Sequence, residues 1–200
     1  MGSMKIAELL LWAVAGWCAI GGLGTALSLA RGRHAEAFKH AAWVLAVAGA
    51  YLLLLLGVSI TQRQKIVAIG QDQCFDTMCF RVTAVEEVPG LVAGLSDRVV
   101  QVRIAVSNHG KATGQQPSIH AYLLDSRGRR SEPLPGLSGN PLSARVAAGS
   151  EFVSQPMFRV PNGTTGLSLV LTHGSWQPRR LILGDSESLA HQPTLVPLGR

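Results

Sequence analysis

Three cysteines, six histidines and scattered hydroxyls and carboxylates are the groups in this 200-residue chain able to carry chemistry. Cys74 and Cys79 bracket Phe75-Asp76-Thr77-Met78, a spacing that a tight turn leading into a strand can close into a disulfide. A redox couple favours two intervening residues, and a metal site needs further ligands at matched spacing, which no second cysteine pair or nearby histidine pair supplies. Two unpaired core thiols are the remaining alternative. The disulfide is the expected state, and such bonds persist in oxidising compartments and not in reducing cytosol. Cys18 lies within an apolar run and reads as a packing residue.

The other constellations carry little. His109, His120, His173 and His191 fall in different expected turns or strands, and no two have the separation of a metal-binding helix motif. Asp185-Ser186-Glu187-Ser188 offers oxygen ligands to a cation such as calcium, but a turn after an edge strand accounts for them equally. Ser175 or Ser188 with His173 or His191 lacks the nucleophile elbow of a hydrolase. Gly110 to Gly114 lacks the lysine and hydroxyl of a phosphate loop. The sequence therefore predicts no catalytic residue, no metal site and no cofactor: the chain is not expected to be an enzyme. Trp176, with Arg179 and Arg180 just beyond Pro178, is the candidate partner surface, because aromatic and arginine side chains carry interface energy. A tryptophan buried in the core is the alternative.

The elements that position these residues follow from the charge map. The apolar share is 47% against 15% charged, which leans toward a membrane chain. The excess is local: before Thr61 the charges are Lys5, Arg31, Arg33 and Lys39 with Glu8 and Glu36. Leu9 to Ala30 and Ala41 to Ile60 contain no charged residue, and a helix rising about 1.5 Å per residue over such a length crosses a hydrocarbon core of about 30 Å. Two spanning helices, about 8–30 and 41–61, are expected to form a transmembrane hairpin over 1–62. Small residues one turn apart, Ala15 with Ala19, Gly22 with Ala26, and Ala42, Ala46 and Ala50, suggest where the helices pack; the alternative is that Ala and Gly are simply common in spanning helices.

Orientation follows from Arg31, Arg33 and Lys39, concentrated in the short loop, against Lys5 and the pair Arg63 and Lys65 on the outer flanks. Lys and Arg are retained on the cytoplasmic side, so the loop is expected inside and both termini outside. The chain is thus expected in a bacterial-type inner membrane, multi-pass, with its C-terminal domain periplasmic. Ser28-Leu29-Ala30 imitates a signal-peptidase site, but the apolar stretch before it is longer than a usual signal core. Cys18 is a poor lipidation site because bulky Trp17 precedes it. The net charge of +6 is no nucleic-acid signature, since the arginines are interspersed with acids and the one short run, Ser126-Arg127-Gly128-Arg129-Arg130, reads as a solvated turn.

Beyond an expected linker over 63–70, the period changes. Val100, Val102, Ile104 and Val106 alternate with Val99, Gln101, Arg103 and Ala105, the pattern of a half-buried strand. Cys79 to Val85, Ser118 to Leu124, Glu151 to Val160, Leu167 to Thr172 and Leu181 to Leu183 are further candidate strands, with turns at Asn108 to Lys111, Asp125 to Gly128 and Pro161 to Gly163. Short strands with regular turn punctuation predict an antiparallel sandwich over 71–200. The fold class expected is a membrane-anchored all-β chain, a helical hairpin followed by an immunoglobulin-like β-sandwich.

This part of the chain resembles the telokin-like, immunoglobulin-like extracytoplasmic domains of bacterial membrane proteins and lipoproteins. The resemblance rests on the run Arg98 to Gly110, on Phe158-Arg159-Val160-Pro161 followed by Leu167-Ser168-Leu169-Val170, and on Leu181-Ile182-Leu183-Gly184-Asp185, and it covers roughly Gln71 to Leu198. It implies a sandwich fold and no catalytic residues. Here the two helices replace a lipid anchor. The expected function is a non-enzymatic binding or interaction module tethered to the lipid bilayer, facing a protein partner, an envelope component or a small ligand. The alternatives are a structural subunit docked to a larger membrane complex through the hairpin, and an envelope enzyme.

Overall fold

The computed structural model describes residues 6–89, 96–137, 139–174, 178–184 and 188–199, the side chains of Pro178 and Arg179 excepted. Two helices, α1 (Ile6–Ala30) and α2 (His34–Thr61), come first. Both are long and apolar enough to cross a membrane. The connection is tighter than the sequence suggests, because α2 begins at His34 and not near Ala41. Gly32 takes a positive φ of 72°. Its N–H and that of Arg33 donate to the carbonyls of Leu29 and Ser28 at 3.0 and 2.9 Å. This is the double bond pattern that ends a helix on a left-handed glycine, and it satisfies carbonyls the helix leaves open.

The less exposed positions recur at alternating steps of three and four: Val14, Cys18, Gly21, Thr25 and Ser28 on α1, and Ala37, Ala41, Val44, Ala48, Tyr51 and Leu55 on α2. That spacing is the seam of helices packed nearly in line. Gly21 is its closest approach, since a β-carbon there would collide with Cγ2 of Val44. The small residues expected at the contact, Ala15, Ala19, Gly22, Ala26, Ala42, Ala46 and Ala50, are instead exposed. Candidate stripes one residue apart in register share the same small-residue chemistry, so composition does not choose between them. The seam goes to the one that also brings larger groups, such as Tyr51 and Leu55, inside.

Among the described residues nine strands follow: β1 (Asp72–Phe75), β2 (Met78–Val88), β3 (Asp97–Asn108), β4 (Ile119–Leu124), β5 (Arg130–Ser131), β6 (Glu151–Ser154), β7 (Met157–Pro161), β8 (Ser168–His173) and β9 (Val196–Pro197). One sheet runs β1-β2-β3-β6, with β7 also against β3; the other runs β5-β4-β8-β9. All these strand pairs are antiparallel. The inner faces meet over Phe80, Val102, Ile104, Val106, Leu123, Phe158 and Leu169. The alternation read in β3 therefore points Val100, Val102, Ile104 and Val106 into the core.

Three expectations change. The stretch 151–160 is two strands, interrupted at Gln155-Pro156, because proline cannot donate to a ladder. Leu181 to Leu183 is not a strand: residues Pro178–Leu181 form one turn of 3₁₀ helix. Residues 63–70 are not a free linker either. Val67 is buried in the sandwich core, its N–H donates to the carbonyl of Leu195 at 2.9 Å, and Gly70 N–H donates to Val82 at 2.9 Å. The compact units accordingly divide as Met1–Arg63 with Gln177–Gln192, and Gln64–Trp176 with Pro193–Arg200. The expected boundary at 71 moves to 64, and an internal segment of the expected sandwich belongs with the helices.

Candidate functional site

A recess of the sandwich opens where β2 ends and β3 begins, with a volume of about 420 Å³. Val85 and Val100 from the first sheet, with Leu167 just before β8 and Leu198 just after β9, form its apolar floor. Glu87 stands opposite Val100 in the ladder, and Arg98, two residues before Val100, lies on that face by strand alternation. The guanidinium reaches Glu87 Oε2 at 3.2 Å and the carbonyl of Thr164 at 2.8 Å. Its Nε is enclosed and has no partner among the described residues. Glu86 turns to Arg103, at 3.1 Å. Both carboxylates are thus neutralised by arginine on a solvent-facing rim, an arrangement suited to recognition by shape and hydrogen bonding.

Asp125 organises the neighbouring turn. It is 8% exposed, and Oδ1 accepts from the backbone N–H groups of Arg127 and Arg129 at 2.9 and 2.8 Å while Oδ2 accepts from Arg129 Nε at 2.7 Å. Burial pushes the carboxyl up, but these donors and the Arg129 charge outweigh it and hold the carboxyl below its ordinary value. Arg130 stacks its guanidinium 3.7 Å from the centre of the Tyr122 ring. The arginine-rich run is therefore a turn in which Asp125 engages the Arg129 charge and Tyr122 and Glu132 engage that of Arg130.

Cys74 and Cys79 are joined in a disulfide. They face each other across the β1–β2 hairpin, whose turn is Asp76-Thr77 with Asp76 at a φ of 57°. Cys18 is a free, half-buried thiol. The histidines are dispersed. His109 pairs with Ser107, at 3.1 Å. His173 is buried, meets Gln116 Oε1 at 3.3 Å and packs edge-on against Phe75. His191 bonds to the carbonyl of Gln192. Among the described residues no group of three or more His, Cys, Asp or Glu could hold a metal. The Ser188 hydroxyl bonds that of Ser59, and only the Ser188 carbonyl meets His191, accepting from its backbone N–H at 3.0 Å, while Ser175 and Asp185 to Glu187 lie outside the described residues. Of the candidate partner surface, Trp176 and the Arg179 side chain also lie outside them; Arg180 is half-buried, and its carbonyl accepts from Leu189 N–H at 2.9 Å.

Within the helical unit the structure adds a contact that sequence reasoning missed. The Tyr51 hydroxyl donates to the carbonyl of Leu181, and Ser59 Oγ shares a hydrogen bond with Ser188 Oγ at 2.8 Å. Tyr51, Leu55 and Ser59 are buried along this face of α2. The signal was available: Tyr51 and Ser59 are two turns apart in an otherwise aliphatic stretch, where an unsatisfied hydroxyl is costly.

No protein-family model matches the sequence, and no curated protein matches it. Solved structures do resemble it. An uncharacterised β-sandwich protein from Clostridium difficile 630 is similar over 69% of this chain and 96% of its own, at 10% identity and a TM-score of 0.44. The yjhA protein from Bacillus subtilis is similar over 66% of this chain and 98% of its own, at 16% identity and a TM-score of 0.43. The secreted protein MPT63 of Mycobacterium tuberculosis is similar over 59% of this chain and all of its own, at 11% identity and a TM-score of 0.44. At such identities the likeness concerns fold alone.

Proposed function

We propose that this chain is a membrane-tethered, non-enzymatic binding module. In this reading α1 and α2 cross a bacterial-type inner membrane with Arg31 and Arg33 on the cytoplasmic side, and an immunoglobulin-like, telokin-like sandwich works in the periplasm. One observation carries it. Trp12, Ile20, Leu23, Trp43, Leu45, Leu53 and Ile60 are each at least 63% exposed on the helices, a continuous apolar surface that water would not tolerate on a soluble monomer. The Cys74–Cys79 disulfide supports an oxidising compartment for the sandwich. The recess at Arg98 is the proposed contact surface, because it couples an apolar floor to a polar rim of Glu86, Glu87 and Arg98.

The test uses the full chain in its membrane. Alkaline carbonate should leave it in the pellet, and a photoreactive amino acid at Glu87 should give a discrete adduct with an envelope component that Arg98→Ala diminishes at least tenfold. Recovery in the carbonate supernatant would reject the tether. A membrane-retained, folded chain without any adduct would reject the recess.

A second reading is supported by the outer face of the hairpin. A groove of about 510 Å³ there has Gly21 and Gly24 as floor and Trp17 and Trp43 as walls. Glycine floors admit close helix approach, so the hairpin itself is a docking element for a larger membrane complex in this alternative. Gly24→Leu should then abolish co-purification of the complex while leaving the sandwich folded; retained co-purification would exclude it.

A further inference from the structure

Residues 64–70 are where the chain, having left α2, joins the sandwich, and hydrogen bonds hold them there. Leu195 N–H donates to the carbonyl of Lys65, and Val67 N–H to that of Leu195, both at 2.9 Å. Gln64 Nε2 donates to the Pro193 carbonyl at 3.0 Å, and Ala68 N–H to Gln71 Oε1 at 3.1 Å. Side chains of an extended segment alternate between two faces. With Val67 in the core, Ile66 therefore points outward, and it is 65% exposed, with Ile69 at 42%. The exposed large apolar side chains described on this unit are Ile66, Ile69, Leu137 and Val153, so half of them fall within four residues. Lys65 and Arg63 are exposed as well. Neither has a carboxylate partner among the described residues, whereas Arg81, Arg103 and Arg159 on the sandwich each have one.

Chain length fixes how far this strip can stand from the membrane. Ile66 follows Thr61, the last residue of α2, by five residues, and Ile69 by eight, spans of at most about 18 and 29 Å. The polar layer outside each face of the hydrocarbon core is itself about 5–7 Å deep, so the tether keeps the strip at a high effective concentration beside the headgroups. We infer that residues 65–69 are a second, interfacial membrane contact: Ile66 and Ile69 enter the headgroup layer, and Lys65, with Arg63, meets the phosphates of anionic lipid. The inference deepens the membrane reading above and rests on it. Apolar side chains at the acyl boundary and cations near an anionic surface are the two sources of interfacial binding, and a lysine can lay its stem on lipid while its ammonium stays at the phosphates. Because the strip is bonded to Leu195 and cored through Val67, it carries the sandwich with it. The domain is then held against the bilayer by one rim, and does not swing on a free linker.

The experiment places a fluorophore at single cysteines of the full chain in a Cys18→Ser background, labelled without reductant so that the Cys74–Cys79 bond persists. The chain is reconstituted in vesicles of phosphatidylethanolamine and phosphatidylglycerol whose nitroxide lies either just below the headgroup or at mid-chain. Leu53→Cys, 74% exposed on α2, is the deep reference. Thr113→Cys is the aqueous one, on the loop beside the β1–β2 turn and so at the opposite end of β1 from Ile69. Ile66→Cys and Ile69→Cys should be quenched by the shallow nitroxide at least fivefold more than Thr113→Cys, and Lys65→Gln should cut that quenching at least threefold. Quenching of Leu53→Cys by the mid-chain label with none at 66 and 69 would overturn the interfacial contact and leave the hairpin reading intact. No quenching at any of the three would overturn both. Shallow quenching that is unchanged in vesicles of phosphatidylcholine alone would overturn anionic lipid as the partner. Should a labelled variant misfold, the unmodified chain is irradiated with an aryl-azide phospholipid and digested with trypsin. Adducts on the peptide of residues 66–81 support the contact, and adducts confined to α1 and α2 reject it.

Discussion

Asp125 shows how a side chain with apparent catalytic credentials is absorbed by structure. Its lowered carboxyl and three donors, all from Arg127 and Arg129, make it the keystone of a turn. A carboxyl held below its unfolded value, near 3.9, adds stability that is complete above that value and is lost as pH falls through the lower folded one. Asp125→Asn should therefore lower Tm at neutral pH, and the gap to the wild-type chain should shrink on acidification. Thermal unfolding of both proteins between neutral and strongly acidic pH checks this, and a constant gap would contradict it. Residue chemistry alone marks Asp125 to Gly128 as a turn. The Oδ1 bonds are local, whereas the burial that encloses Asp125 requires the folded sheets.

Packing of the two helices turns on a single approach. Gly21→Leu puts atoms where Val44 already sits, so it should separate the helices, whereas Gly22→Leu, with nothing within 4 Å of the point where a β-carbon would stand, should be accepted. Distances between probes at opposite hairpin ends, measured by double electron–electron resonance, will distinguish them: a shift for Gly21→Leu and none for Gly22→Leu. In the sandwich, the disulfide closes the short loop 74–79. Replacing both cysteines by alanine should cost about 2 kcal/mol through the entropy of the unfolded chain, read as a lower midpoint in urea with an unchanged slope. The strands β2, β3 and β4 were legible because each alternates over part of its run, whereas β8, buried on both faces, was marked by the turn residues that bound it. The division between β6 and β7 was marked in advance only by Pro156.

For the molecule as a whole, topology decides what the sandwich can meet. With the loop inside, a cysteine replacing Arg33 should react with an impermeant maleimide only after the cells are permeabilised, whereas one replacing Thr113, exposed on a sandwich loop, should react in spheroplasts directly. Both substitutions belong in a Cys18→Ser background so that no other free thiol is present. The reverse pattern would invert the proposed orientation. The proposed tether would not depend on orientation, because the apolar exposure of the helices is the same in either direction.

The sequence by itself determined that two apolar helices precede a set of alternating strands, and that Cys74 and Cys79 are placed to bond, because those properties depend on local period and spacing. Tertiary structure decided which small residues touch, where the sandwich begins, and that 177–192 belongs to the helical unit. Those outcomes hinge on partners far away in sequence, Gly21 with Val44, Val67 with Leu195 and Tyr51 with Leu181, and no periodicity in a single segment encodes the identity of a distant neighbour.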